Sequence, residues 1–241
     1  MITPRPFAGL GHANHGWLDA HHHFSFADYY DPGRMGVGPL RVWNDDTIAP
    51  DSGFPMHPHR DMEIITYVRQ GAVTHQDHLG NHGRTAAGDI QVMSAGKGIL
   101  HAEFNREPED TTLFQIWIVP AKSGIAPRWE QRAFPTAERA GLLVPLASGS
   151  DEMQGAGAVP ILQDATLFGA LLAPGQRLDH RLVHGGLGYL VVANGTLKAD
   201  GVALGPRDGA VVHDQAGIGL TAGADGAEVL LADLPVLAAF N

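Results

Sequence analysis

Short apolar segments, each closed by a glycine-containing turn, constrain this chain more than any other feature. Runs rich in Val, Ile and Leu recur between dipeptides such as Gln70-Gly71, Gly80-Asn81 and Asn194-Gly195. Strands need only a few residues between turns, whereas a helix that buries a face needs ten or more, so the rhythm predicts an all-β barrel or sandwich. One short stretch, Thr136 to Leu143, has a helical pattern, and helix content should be low. At 241 residues the chain is long enough for one large domain or two smaller ones, each with a sizeable core.

The punctuation also divides the chain. Pro120 to Pro135 is rich in proline and charge, and Ala147 to Pro160 in glycine, serine and acids. These mark an interdomain region, with an N-terminal domain over residues 1–134, a linker over 135–159 and a C-terminal domain over 160–241. An internal echo supports the division. Gly88 to Gly96 is a glycine, an apolar strand core and an Ala-Gly end, and Gly209 to Gly217 repeats that plan. Upstream, Val68 to Gly71 is matched by Val192 to Gly195, so the two halves read as copies of one β unit.

Composition removes several chemistries. No cysteine is present, which excludes thiolate catalysis, disulfides and cysteine-ligated metals; any metal must sit on nitrogen and oxygen. A net charge of −10 with 16 basic residues argues against direct nucleic-acid binding, while leaving a protein partner open. No apolar run approaches the ~18 residues of a membrane span, and no leader pattern precedes the first strand, so a cytoplasmic protein with no membrane association is expected.

Fourteen histidines remain, and spacing chooses among them. Pro58 keeps His57 out of helical geometry, and residues two apart on a strand share a face, so His57 and His59 present two imidazoles side by side. His101 and Glu103 repeat the spacing after the glycine-rich Ser94 to Gly98. Two strands can thus bring three imidazoles and a carboxylate to one point, a donor set that suits a first-row metal with positions left open.

Other candidates are weaker. Alternate members of His21-His22-His23 point oppositely on a strand. His75, Asp77, His78 and His82 surround the Gly80-Asn81 turn, where solvated polar residues are the default. Gln115 alternates with Phe114 and Ile116 and can face a pocket. Glu63 lies four residues beyond His59, and an unbroken strand would put it on the same face, farther along the barrel. In the C-terminal copy, the places of the four candidate ligands are taken by Arg181, Val183, Ala222 and Ala224, with His180 and His184 one residue out of register.

The run from His57 through Met62-Glu63 to Gly71 resembles the first cupin motif, and Gly88 to Asn105 the second, in the variant used by pirins. Gly16 to Ala20, His23 to Phe26, Arg41-Val42 with Asn44 to Asp46, and Phe114 to Trp117 also look like pirin segments. The likeness is strongest to short bacterial pirin-like proteins reported as quercetin 2,3-dioxygenases. It implies two tandem cupin (jelly-roll) β-barrels, with His57, His59, His101 and Glu103 holding one divalent metal ion, iron(II) foremost and other first-row transition metals admitted. It further implies a flavonol-like substrate and dioxygen, and it leaves Glu63 behind the ligands or at the strand end rather than on the metal. Within hydrogen-bond reach of a metal-bound hydroxyl, Glu103 is the natural catalytic proton acceptor, and Gln115 and Glu63 are the candidates for the substrate pocket. Some pirins are described as transcriptional cofactors, so a metal-binding regulatory or partner-binding role without a dedicated reaction is the alternative. The C-terminal barrel is expected to hold no metal.

Overall fold

The computed structural model describes residues 1–134, 136–183 and 186–236. It is built almost wholly of strands, in two barrels that share one core. The first barrel packs a seven-stranded sheet against a four-stranded one. In the larger sheet Thr111–Ile118 lies centrally, between Glu63–Gln70 and Leu40–Ile48; in the smaller, Ile99–Phe104 lies between Gly53–His59 and Ala72–Asp77. The second barrel is a nine-stranded sheet. Its two long strands, Leu187–Ala199 and Gly217–Leu234, bend enough to pair with neighbours at both ends.

Alternation along the central strands explains why the two barrels stay together. From Glu63–Gln70, Ile65 and Tyr67 point to one face, where they join Trp43, Phe114, Leu167, Tyr189 and Leu230 in a single buried cluster drawn from both barrels. Trp43 lies 5.8 Å from Phe114 and 5.6 Å from Tyr189, ring centre to ring centre. Large aromatic rings bury the most area per residue, so this seam is a principal source of stability. Ile64, Thr66 and Val68 turn into the first barrel. There the apolar residues split into one group around Ile64, Met93 and Ile99 and another around Leu18, Val68 and Leu113. Buried polar side chains, including Thr66, Gln91 and Glu103, also line this face.

The repeat has a structural counterpart. Ile90 pairs with Tyr67 in the first barrel, and Gly209 with Val191 in the second, so the echoed segments occupy equivalent strands. Gly71 sits at the expected corner with φ +74°, and a Cβ there would meet the Thr111 hydroxyl at 2.6 Å. Asn194-Gly195, by contrast, is no turn between strands. The strand continues through it across two register shifts, and a Cβ on Gly195 would strike the Gly226 carbonyl at 2.2 Å. It is a bulge that bends a long strand.

The expected linker, residues 135–159, carries more structure than its composition suggested. A 3-10 turn at Thr136–Arg139 answers the short helical pattern, Val144–Ser148 pairs with Thr166–Leu172, and Asp151–Gly155 forms a short α-helix. The chain start also crosses over, since Ile2–Arg5 pairs with Gly209–Val212 of the second barrel. Among the described residues no helix is long and apolar enough to cross a membrane.

Candidate metal centre

Gly53–His59 and Ile99–Phe104 run antiparallel with His57 directly opposite His101 and His59 opposite Ile99. This register, with Pro58 holding the first strand extended, gathers three imidazoles. Ring centres are 4.4 Å apart for His57 and His101, 4.8 Å for His57 and His59, and 5.0 Å for His59 and His101. One ring nitrogen from each lies within 4.8 Å of the other two.

The hydrogen-bond pattern shows which nitrogens are free. The Pro55 carbonyl can only accept, so the His57 Nδ1–H donates to it at 2.7 Å and Nε2 is left with its lone pair. The Nε2 atoms of His59 and His101 are buried without a partner. Orphaned buried nitrogens are costly, and these two, converging with the His57 Nε2 lone pair, fit a cation better than they fit one another. Protonation of His59 and His101 does not compete near neutral pH: burial, then the neighbouring His101 and His57, pushes His59 down to about 4. Burial, then His57 and His75, pushes His101 down to about 3. The donor set therefore fits a divalent first-row metal.

Glu103 lies two residues beyond His101 on an unbroken stretch of strand, opposite a bulge in Gly53–His59. It is buried, and its carboxylate accepts hydrogen bonds from Gln91 Nε2 at 2.5 Å, Gln115 Nε2 at 2.9 Å and the Thr66 hydroxyl at 3.2 Å. Gln115 points inward as its alternation allowed, and its Oε1 accepts from Trp117 Nε1 at 3.1 Å. Trp117 in turn meets His59 edge to face, 5.0 Å between ring centres.

A cavity of about 700 Å3 opens onto His57, His59 and Gln115. Trp17, Phe26, Tyr29, Phe54 and Trp117 give it aromatic walls, and His22, Asn44 and Asp46 give it polar ones. His22 Nδ1 donates to Asn44 Oδ1 at 2.9 Å. Burial, with Asp45 and Glu103 nearby, raises Asp46 well above the usual carboxylate range and favours its neutral acid form. A flat, mostly apolar ligand with a few polar groups suits these walls.

Several expectations change on the structure. Glu63 does not share the face of His59, because the strand breaks between them; Asp61 has φ +46°. Glu63 instead turns toward the second barrel, where it accepts from the Ser94 hydroxyl at 2.7 Å and the Leu162 backbone N–H, and burial raises its pKa. His75 and Asp77 are not solvated turn residues: both are buried on the strand next to His101. His78 accepts the Leu100 N–H at 3.0 Å, and His82 is exposed.

The triple-histidine tract is divided as the strand period requires. His22 lines the cavity, while His23 is buried between barrels, 2.8 Å from the Tyr189 hydroxyl and pushed down to about 3 by burial and then by Arg34 and other cations. His21 stacks on His12 with ring centres 4.4 Å apart, and ligand atoms of His12, Asp19 and His21 lie within 4.8 Å. There, however, His12 and Asp19 already satisfy each other through a 2.5 Å hydrogen bond. In the second barrel His180 packs edge-on against Phe168, 4.7 Å between ring centres, and His184 lies outside the described residues. Among the described residues, the groups able to hold a metal all lie in the first barrel.

Sequence reasoning missed Thr66, Gln91, Asn44 and Asp46 as neighbours of the site. A signal existed for the last two: Asn44 to Thr47 are four consecutive polar residues inside one strand, which cannot all face water.

Comparison with known proteins adds independent findings. Residues 5–118 match the pirin family, and residues 146–234 match the quercetinase C-terminal cupin domain. A pirin-like protein from Caulobacter vibrioides is 58% identical over 97% of this chain and 99% of its own. A quercetin 2,3-dioxygenase from Escherichia coli is 43% identical over 98% of this chain and 99% of its own. Among solved structures, the bacterial pirin YhhW from Escherichia coli, in complex with nickel(II), superposes with a TM-score of 0.90 at 42% identity, covering 98% of this chain and 100% of that one.

Proposed function

The chain belongs to the pirin family, and from that membership we propose that it is a metal-dependent dioxygenase cleaving the central ring of flavonols such as quercetin. His57, His59, His101 and Glu103 hold its ion, with iron(II) the leading candidate. The observation that carries this reading is the convergence of three imidazoles, two with buried and unpartnered Nε2 atoms, beside an aromatic-walled cavity of about 700 Å3. The nickel(II) complex of the Escherichia coli pirin supports a divalent ion, and the relative described as a quercetin 2,3-dioxygenase supports the substrate class.

A divalent ion bound there supplies a Lewis acid that favours the ionised form of an enolic hydroxyl, the electron-rich form that reacts with dioxygen. The remaining roles belong to side chains. Trp17, Phe26 and Trp117 offer flat apolar surfaces to a planar polycyclic substrate and exclude water from it. Glu103 takes the proton of the substrate hydroxyl, as an anionic acceptor in the same buried interior as the ligands. Gln115, tied to both Glu103 and Trp117, keeps that carboxylate aimed. The cavity supports catalysis over a purely regulatory role, since a partner-binding surface has no need of a deep aromatic pocket beside the donor cluster.

The test is metal analysis of protein purified without chelators, followed by oxygen uptake over a panel of enolic substrates that includes quercetin. Stoichiometric metal with rapid uptake on flavonols is the expected result. Stoichiometric metal with no flavonol-dependent uptake would leave the metal centre standing and overturn the substrate.

A further inference from the structure

Behind the three imidazoles lies a second row of buried polar side chains that the proposed reaction does not use. On the strand flanking His101 opposite His57, Asp77 is paired with His101 and His75 with Glu103, so both point into the barrel. His75 Nε2 lies 3.1 Å from Asp77 Oδ2, and His75 Nδ1 lies 3.4 Å from His101 Nδ1. Trp129 stacks on the His75 ring, 4.7 Å between centres and 9° from parallel, so the ring cannot swing freely.

Asp77 is held just as firmly. Its Oδ1 accepts the backbone N–H groups of Leu79 and Asn81, and Oδ2 accepts Asn81 Nδ2 at 2.8 Å. Burial pushes this carboxyl up, but the hydrogen bonds from Asn81, His75 and the two backbone groups outweigh it and hold the pKa below the usual range.

We propose that Asp77 and His75 are positioning residues that fix the tautomer and ring orientation of His101, so that its Nε2 lone pair faces the metal. The inference rests on the reading of His101 as a ligand. A carboxylate only accepts, so His75 carries its proton on Nε2 and presents the Nδ1 lone pair to His101. His101 Nδ1–H donates to that lone pair, and its Nε2, buried and without a partner, is left for the ion. Partners of this kind typically change metal affinity by about 10- to 100-fold when removed. His57 receives the same service from the Pro55 carbonyl at no cost in side chains.

The chain of donors makes a sharp forecast for Asp77→Asn. With Oδ1 pinned by two backbone N–H groups, the new amide nitrogen takes the place of Oδ2, the Asn81 amide turns its oxygen toward it, and it donates to His75 Nε2. His75 must then carry its proton on Nδ1, facing a donor on His101, and His101 relieves the clash by moving its own proton to Nε2. That form has no Nε2 lone pair to offer the ion.

The experiment is calorimetric titration of the full chain with nickel(II) alone, beside thermal melts of each metal-free protein. Asp77→Asn and His75→Phe, the latter keeping a ring to stack on Trp129, should each weaken nickel(II) by roughly 10- to 100-fold. His75→Gln, whose side-chain oxygen can accept from His101, should recover part of the loss, and metal-free melts should stay close to wild type. In zinc-loaded protein, histidine nitrogen NMR should report His101 protonated on Nδ1. Unchanged nickel affinity in Asp77→Asn and His75→Phe overturns the proposal, as does an equal loss in all three variants with lowered melts, which marks a structural role. Wild type and His101→Ala keep the two readings apart: binding that survives His101→Ala refutes the ligand assignment itself, whatever the other variants do.

Discussion

Replacing Glu103 by Gln separates shape from charge at the proposed catalytic carboxylate, and the hydrogen bonds around it set the expected size of the effect. If the new amide nitrogen replaces the oxygen near Gln115, two donors meet at about the 2.9 Å of the present bond. Gln115 cannot flip without loss, because its own oxygen already accepts from Trp117. If the nitrogen replaces the other oxygen it meets Gln91, whose Oε1 accepts from the Thr85 hydroxyl and Trp129 Nε1, both at 3.3 Å. Either way one buried donor loses its acceptor, which costs about 1–3 kcal/mol. The three imidazoles remain, so part of the metal should stay bound, while loss of the proton acceptor should lower turnover by roughly 100-fold or more. Glu63→Gln is the control: its carboxylate faces the second barrel against Ser94 and Leu162, and metal content and turnover should both stay near wild type. Urea melts, metal content and rates on quercetin normalised to metal would be measured together. Normal turnover in Glu103→Gln with a dead Glu63→Gln would refute the assignment of the working carboxylate.

Phe114→Ala removes a fully buried ring from the core shared by both barrels and should cost about 3–5 kcal/mol, seen in urea as one transition at lower midpoint rather than two. His101, pushed down to about 3 in the fold, binds its proton in the unfolded chain first. The metal-free protein should therefore lose stability as pH falls from about 6.5 toward that value, by an amount on the order of a few kcal/mol, and His101→Gln should show a flatter profile. Asp46 shifts in the opposite sense, so its contribution is present at low pH and is lost as pH rises. Asp46→Asn should accordingly gain melting temperature over wild type at pH 8 and not at pH 4.

What the sequence disclosed followed from local periodicity. His57 and His59, and His101 and Glu103, were legible as pairs because a strand repeats every two residues, and the repeated Gly88 and Gly209 segments do form equivalent strands. Glu63 was misplaced because the same period was carried through Asp61, where the backbone turns with φ +46° and the count no longer holds. Asn194-Gly195 has turn residues, yet a bulge in a long bent strand uses glycine for the same conformational reason. His75 and Asp77 sit five and three residues before Gly80, and only their pairing with Ile99–Phe104 buries them against the metal ligands. Ile2–Arg5 pairs with residues about two hundred positions away, for which no local signal exists. For His75, Asp77 and the chain start the missing information was the register between distant strands; for Glu63 and Asn194-Gly195 it was a local backbone conformation.

The most direct test of the metal centre is a crystal of the full chain soaked in nickel(II), with the ion located from its anomalous scattering. One strong peak is expected per chain, about 2.0–2.2 Å from the Nε2 atoms of His57, His59 and His101, with a Glu103 oxygen completing the protein ligands. The second barrel, including the neighbourhood of His180, should carry none. A principal peak elsewhere, or a site that leaves His101 outside bonding distance, would contradict the account.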